Sequence, residues 1–364
     1  MTINNMVCVI GGDHHNMLGI IRMLGEKKVT VKAIITSDSK KTFCDKSKYL
    51  KECFFINNEK DIISKIKEFP KGTILIPTGD DAAFILDKHY DKLENNYIVP
   101  SINKCSGYIH KYMNKFYQSE LLKKYNLKVA NSYISKYKKY PLILKPLLSI
   151  EGKKSDITIV ENFSELNSAV LLLKKLGYKR ILVQDYINMD YECGLNGCSC
   201  DGQTVIPAVL RKIRRFPLKK GNVSFGKIIP LDNVELDFSP IYKMLKDINY
   251  NGLFDIEIFV NGNDYYVNEI NFRNSGNSYV YTKGGVNIAL IWVMLNLNKN
   301  IDDKKCVSKE YYFRDEILEL KQLFQKNITF CLFLNSLFKS KCNFILNFRD
   351  PKPFLKLFIN FLRR

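Results

Sequence analysis

Between residues 254 and 278 the chain reads FDIEIFVNGNDYYVNEINFRNSGNS. Apolar and polar residues alternate on both sides of an Asn/Gly turn, which predicts two antiparallel strands. Side chains two apart on a strand leave the same face, so Glu269 and Asn271 project together, next to a first strand that carries Glu257. Carboxylate and amide oxygens converging from neighbouring strands suit a hard cation, Mg²⁺ first and Mn²⁺ as its alternative, completed by substrate phosphates. Arg273 and a loop of small residues follow. A hairpin whose polar face is simply wet shows the same pattern, so the metal reading depends on the rest of the chain.

With 364 residues the chain can build two or three domains. Its 46% hydrophobic and 26% charged content places it among globular rather than disordered chains. Cys198 and Cys200 are close together, but no second thiol pair matches them, which argues against a zinc ribbon. No secretory signal is evident, and reduced thiols in the cytoplasm are the expectation. The net charge of +19 fits an acidic substrate, anionic lipid or nucleic acid. No nucleic-acid recognition motif accompanies it, so no specific nucleic acid is expected.

The opening MVCVIGG, a helix from Asn16 to Gly25 and the strand VTVKAIIT form a β-α-β unit, the start of a parallel sheet. The glycines do not make GxGxxG, so a dinucleotide fingerprint is absent. Asp13, His14 and His15 follow the first strand at its carboxyl end, where they either meet substrate or cap the helix. The same alternatives apply to Asp80 and Asp81 after GTILIPTG. A single helix is expected over 111–125, carrying Lys115. PLILKPL sets Lys145 at the end of a buried strand, where a cation calls for an anion unless it snorkels to solvent. SIEGKKS, residues 149–155, is a lysine-bearing turn with Gly152 that could fold over phosphates. ILVQDYI, residues 181–187, is another apolar strand. Asp201-Gly202 is the turn of a hairpin that starts near Glu192 and leaves through Arg211 and Lys212 into a basic run, Arg214, Arg215, Lys219 and Lys220. Helices are expected over 236–250 and 285–297.

In this order, the lysines, ILVQDYI and the acidic hairpin resemble the ATP-grasp superfamily over about residues 6–300. The opening GGDHHNMLGIIRMLG is similar too, and the likeness is to carboxylate–amine ligases of the D-aspartate ligase type and short carbamoyl-phosphate-synthase-like chains. The resemblance implies an ATP-grasp fold, α/β and α+β. It comprises an N-terminal parallel-sheet (pre-ATP-grasp) domain over 1–110, a lid over 111–188, a metal-bearing catalytic subdomain over 189–300 and a helical C-terminal extension over 301–364. It further implies that Lys115 contacts phosphate and that Lys145 reaches adenine and the α-phosphate. The loop with Glu151, Gly152 and Lys153 closes over the β- and γ-phosphates, although it is poorer in glycine and serine than the family's. Gln184, Asp185, Tyr186 and Ile187 border adenine, and Glu192 holds ribose or approaches the metals. Arg211 contacts the triphosphate or acyl phosphate, Glu257, Glu269 and Asn271 bind the metal, and Arg273 steadies the acyl phosphate. His15, with His14, is the nearest candidate for a general base.

The implied reaction consumes ATP with Mg²⁺, forms an acyl phosphate and transfers the acyl group to an amine. The expected partners are a small amine or amino acid and an anionic carboxylate acceptor, glycan- or lipid-linked, with a uronic acid of a surface polysaccharide as the specific expectation. A D-aspartate ligase acting on a peptidoglycan precursor and a non-catalytic ATP-binding scaffold are the alternatives. A homodimer is compatible with the chain.

Residues 326–364 hold eight phenylalanines and eight Lys/Arg against one aspartate. No apolar run there is long enough to span a bilayer. The segment is expected either to pack on the body as helices or to lie at an anionic membrane surface.

Overall fold

A computed structural model of the chain describes residues 3–37, 41–133, 139–148, 156–218, 221–301 and 305–362. Its first domain is a five-stranded parallel sheet in the order Leu50–Phe55, Val31–Ile35, Val7–Gly11, Thr73–Pro77, Tyr97–Ile98. Both faces of the central strands Val7–Gly11 and Thr73–Pro77 are covered and these strands are fully buried, whereas the edge strand Leu50–Phe55 keeps Lys51 and Glu52 exposed. Val7 and Val9 face helix His15–Gly25, while Cys8 and Ile10 face helices Glu59–Lys67 and Asp80–Lys88.

The second unit is a small antiparallel sheet in the order Ser132–Tyr133, Ile181–Asp185, Leu142–Pro146, Thr158–Val160. Helix Phe163–Lys175 covers one face through Leu166, Ala169 and Leu173, which pack on Leu142, Leu144, Val160 and Val183. Alternation then turns Ile143, Lys145, Ile159 and Gln184 to the opposite face.

The third unit is a nine-stranded sheet running Asp264–Asn271, Tyr250–Asn261, Tyr191–Cys200, Val209–Phe216, Asn222–Ile229, Tyr311–Arg314, Ser340–Asn343, with two short strands attached at its side. Helices His15–Gly25 and Ile288–Asn296 fill the space between it and the parallel sheet. Trp292 is fully buried there and donates its indole N–H to Asn251 Oδ1 at 2.8 Å.

Two expectations change at this level. The helix expected over 111–125 is broken at Asn114, whose extended backbone ends helix Tyr108–Met113. Its side chain then accepts from Phe116 N and caps helix Lys115–Lys124, so Lys115 becomes a first-turn residue. The segment after residue 300 contributes helices Glu316–Phe324, Phe330–Lys339 and Lys352–Leu362, but it also adds two strands to the large sheet. Those strands are only four residues long, and they bury Phe313 and Cys342 in the main core.

Candidate active site

The small sheet, the large sheet and the carboxyl end of the parallel sheet enclose a cavity of about 720 Å³. Small-molecule sites span roughly 300–1,000 Å³, so this one has room for a nucleotide. The small sheet contributes Ile143, Lys145, Ile159 and the segment Gln184–Ile187. In that segment the Asp185 carboxylate accepts from Tyr133 Oη at 2.6 Å and Asn131 Nδ2 at 2.8 Å, and Gln184 Nε2 donates to Ser132 Oγ at 3.0 Å. These contacts fix the strand from its outer edge. The loop 149–155, with Glu151, Gly152 and Lys153, lies outside the described residues, as do Lys219 and Lys220.

On the large sheet Glu257 and Glu269 are direct cross-strand partners, and Asn271 opposes Asp255. Like charges in that position repel unless cations intervene. Here Lys115 Nζ lies 3.5 Å from Glu269 and Lys212 Nζ lies 3.6 Å from Glu257. The register slips immediately after the Glu257–Glu269 pair, because Ile258 opposes Val267 and leaves Asn268 as an extra residue. This bulge turns Asn268 to the same side as its neighbour Glu269. Asn268 Oδ1 accepts from Lys145 Nζ at 3.3 Å, and its Nδ2 donates to Glu257 at 3.2 Å. Lys115, Lys145, Glu257 and Glu269 therefore occupy one wall-to-wall network. Burial, then the charge of Lys115, lowers the Lys145 pKa to about 8.

The expectation for Arg211 is corrected. Arg211 is exposed and lies over the Tyr191 ring, 4.1 Å from its centroid, and does not line the cavity. Lys212 and Arg215 occupy the cavity instead, and both pair with Glu192, Arg215 at 2.7 Å. Desolvation disfavours charge on Lys212, but Glu257 and Glu192 outweigh it and hold the ammonium above its ordinary pKa. A register offset decides which of the two neighbours faces the cavity. From the pair Cys198↔Val205 to the pair Leu195↔Val209, one strand retreats three residues while the other advances four. Extrapolating from the tight Asp201-Gly202 turn puts Arg211 opposite Glu192, whereas the extra residue puts Lys212 there.

The parallel sheet supplies the far wall. Arg273 Nε donates to Asp80 Oδ1 at 2.6 Å, and its NH2 donates to Asn271 Oδ1 at 3.3 Å. Asn16 Nδ2 donates to Thr78 O and Asn274 O, each at 2.9 Å, tying the first domain to the loop after the metal-type hairpin. His14 caps its helix by accepting from Asn16 N at 3.2 Å. His15 lines the cavity, stacks on Phe344 with centroids 4.6 Å apart, and has Asp315 Oδ2 3.7 Å from Nδ1. The pair is close enough for an ion pair, but burial, then the neighbouring His14, holds His15 well below its ordinary pKa. Burial, then Glu316, pushes Asp315 up to about 7. A neutral imidazole is the form these directions favour. Gly276 lies so near His15 Nε2 that a Cβ there would come within 2.6 Å of it, so the loop needs glycine at this point.

Sequence reading singled out the basic run that holds Lys212 and Arg215 without saying which of its members face the cavity, and it missed Asn268. The first two depend on the register offset and the third on the bulge, and neither feature has a local composition signal. Among the described residues no group of three or more His, Cys, Asp or Glu could hold a metal. The all-oxygen set of Glu257, Glu269 and Asn271 nevertheless fits a hard cation that takes its remaining ligands from phosphate and water.

No family model matches the chain. A D-aspartate ligase of Enterococcus faecium is 24% identical over 246 residues, 60% of this chain and 57% of that enzyme, so the chain spans less than two thirds of that relative's length. The crystal structure of an L-amino acid ligase from Bacillus licheniformis is similar with a TM-score of 0.61 at 15% identity, covering 81% of this chain and 74% of that one. N5-carboxyaminoimidazole synthetase from Staphylococcus aureus, solved with ADP, is similar with a TM-score of 0.67 at 15% identity, covering 90% and 86% respectively. The TM-scores of these two structures show a shared fold, and at such low identity they show the fold alone.

Proposed function

We propose that this chain, an ATP-grasp fold, is an ATP-dependent ligase that joins a carboxylic acid to an amine through an acyl phosphate. The observation that supports this most is the single network of Lys115, Lys145, Glu257, Asn268 and Glu269 across one cavity. Two cations set against two opposed carboxylates form a seat for a triphosphate and its divalent ion. In this reading Ile143 and Ile159 flank the base, and Gln184–Ile187 border its edge. Lys115 and Lys145 take the phosphates, and Glu192 faces the ribose. Lys212 and Arg215 stand where the sequence suggested Arg211 and offset charge on the transferred phosphoryl group. By the family resemblance alone, Glu151, Gly152 and Lys153 would contact the β- and γ-phosphates.

Glu257, Glu269 and Asn271 would hold Mg²⁺ or Mn²⁺. When bound, such an ion supplies Lewis acidity at the phosphoryl oxygens. The acid's carboxylate attacks the γ-phosphorus, giving ADP and an acyl phosphate. Arg273, oriented by Asp80, steadies that acyl phosphate. The amine then attacks the carbonyl, phosphate leaves, and neutral His15 takes the amine proton.

The test is transfer of heavy oxygen from a labelled carboxylate into inorganic phosphate. The acid and amine come from a screen of ADP release that includes D-aspartate, named for the enterococcal relative, other amino acids and uronic acids. One labelled oxygen in the released phosphate is expected, together with a mass-verified amide. Glu269→Gln with Asn271→Ala should lower ADP release at least about a hundredfold without loss of fold. Nucleotide binding with no ADP release from any pair would instead favour a non-catalytic ATP-binding protein. Bicarbonate-dependent ADP release would move the chain to a carboxylase-type reaction.

A further inference from the structure

Helix Lys352–Leu362 seats Phe354 and Leu357 against the main core. Leu355, Phe358 and Ile359, at helical spacing, point away from it and remain 53%, 38% and 44% exposed. Nearby in sequence, Phe348 is 89% exposed. Helix Phe330–Lys339 repeats the arrangement: Ser336 is buried, whereas Phe330 and Phe338 are 61% and 82% exposed. Exposed apolar side chains in such numbers call for an occupant.

Charge identifies that occupant. Lys326, Lys339, Lys341, Arg349 and Lys352 are exposed on this segment. Its one acid, Asp350, is buried and bonded to Arg22, Ser47 and Lys48. A second copy of this chain would bring like charges together. An anionic partner is favoured, and protruding Leu, Ile and Phe flanked by Lys and Arg match the interfacial region of a bilayer better than a polyanion. No described helix is long and apolar enough to cross a membrane. We propose that residues 330–362 form a peripheral docking surface for a membrane carrying anionic lipid, with the aromatic and aliphatic side chains inserted and the lysines at the headgroups.

The full chain would be floated with vesicles of phosphatidylcholine alone and of phosphatidylcholine mixed with phosphatidylglycerol. Retention by the mixed vesicles only, weakening as salt is added, is expected. Leu355→Ser with Phe358→Ser and Ile359→Ser should lower that retention about tenfold or more, because the apolar term is lost at unchanged charge. Lys339→Gln with Lys341→Gln and Lys352→Gln should do the same through the charge term. Circular dichroism and melting temperature check that both variants are folded. The proposal is overturned if neither vesicle retains the protein, if both retain it equally, or if the folded variants bind like the parent. It is also overturned if light scattering shows a lipid-free dimer that the serine variant abolishes, which would assign the surface to a second copy.

Discussion

Lys145 occupies a place where a cation is hard to keep. The residue is only 7% exposed, its nearest bonded acceptor is the neutral amide of Asn268, and Lys115 adds a like charge. Burial first, then Lys115, brings its pKa to about 8, against the pull of Glu269 and Glu257. A bound phosphate favours the ammonium, so binding above that pH must draw in a proton. The sign follows: nucleotide affinity is level below pH 8 and falls as pH rises beyond it, by up to about tenfold per pH unit. Lys145→Arg, charged throughout, should flatten the profile. Titration of ADP by calorimetry in the presence of a chelator isolates the lysines from any metal. An unchanged affinity between neutral and strongly alkaline pH would show that Lys145 does not meet the phosphates.

At the scale of strands, small irregularities decide which side chains reach the cavity. The hairpin with Glu257, Glu269 and Asn271 was legible because alternation and an Asn/Gly turn are local. The bulge at Asn268 was not, since nothing in NEIN marks an extra residue. Arg211 came from the family resemblance, and Lys212 stood beside it in the basic run: alternation states that neighbours face opposite ways, but only the partner strand states which is inside. This yields a paired expectation. Arg211→Met removes an exposed residue and should change nucleotide affinity and stability by no more than about twofold and ~0.5 kcal/mol. Lys212→Met leaves Glu192 and Glu257 facing each other without its ammonium, in a site where the Lys212 and Glu192 side chains are each 6% exposed. Breaking a buried pair in this way costs about 3–5 kcal/mol. Urea unfolding and nucleotide titration of the two variants measure both quantities, and equal effects would refute an inward Lys212 beside an outward Arg211.

For the whole molecule, the ends of the chain are held together by contacts that no local pattern announces. Arg22 and Asp350, 328 residues apart, bond at 3.0 Å with side chains 0% and 1% exposed. Arg22 also donates to the carbonyl of Phe344 at 3.3 Å, and Phe344 stacks on His15 at the cavity. Helical spacing in the tail suggested packing or membrane contact; in helix Lys352–Leu362 Phe354 and Leu357 pack half-buried on the core, while Leu355, Phe358 and Ile359 stay exposed. The strand Ser340–Asn343 was beyond reach, because four residues carry too short a period and its partner lies on Tyr311–Arg314. The clasp predicts that Asp350→Ala acts at a distance. It strands the Arg22 guanidinium in the core, so unfolding free energy should fall by about 3–5 kcal/mol. Replacing both partners, Arg22→Met with Asp350→Leu, should recover most of that loss, because no buried charge remains. Stability and site are separable by comparing the two variants. In Asp350→Ala the Phe344–His15 stack loses its support, and ADP release should drop along with stability. The double variant, although stable, still lacks the Arg22 bond to the Phe344 carbonyl, so its ADP release should stay below that of the parent. Full activity in the stable double variant would mean that the clasp holds the fold without positioning His15.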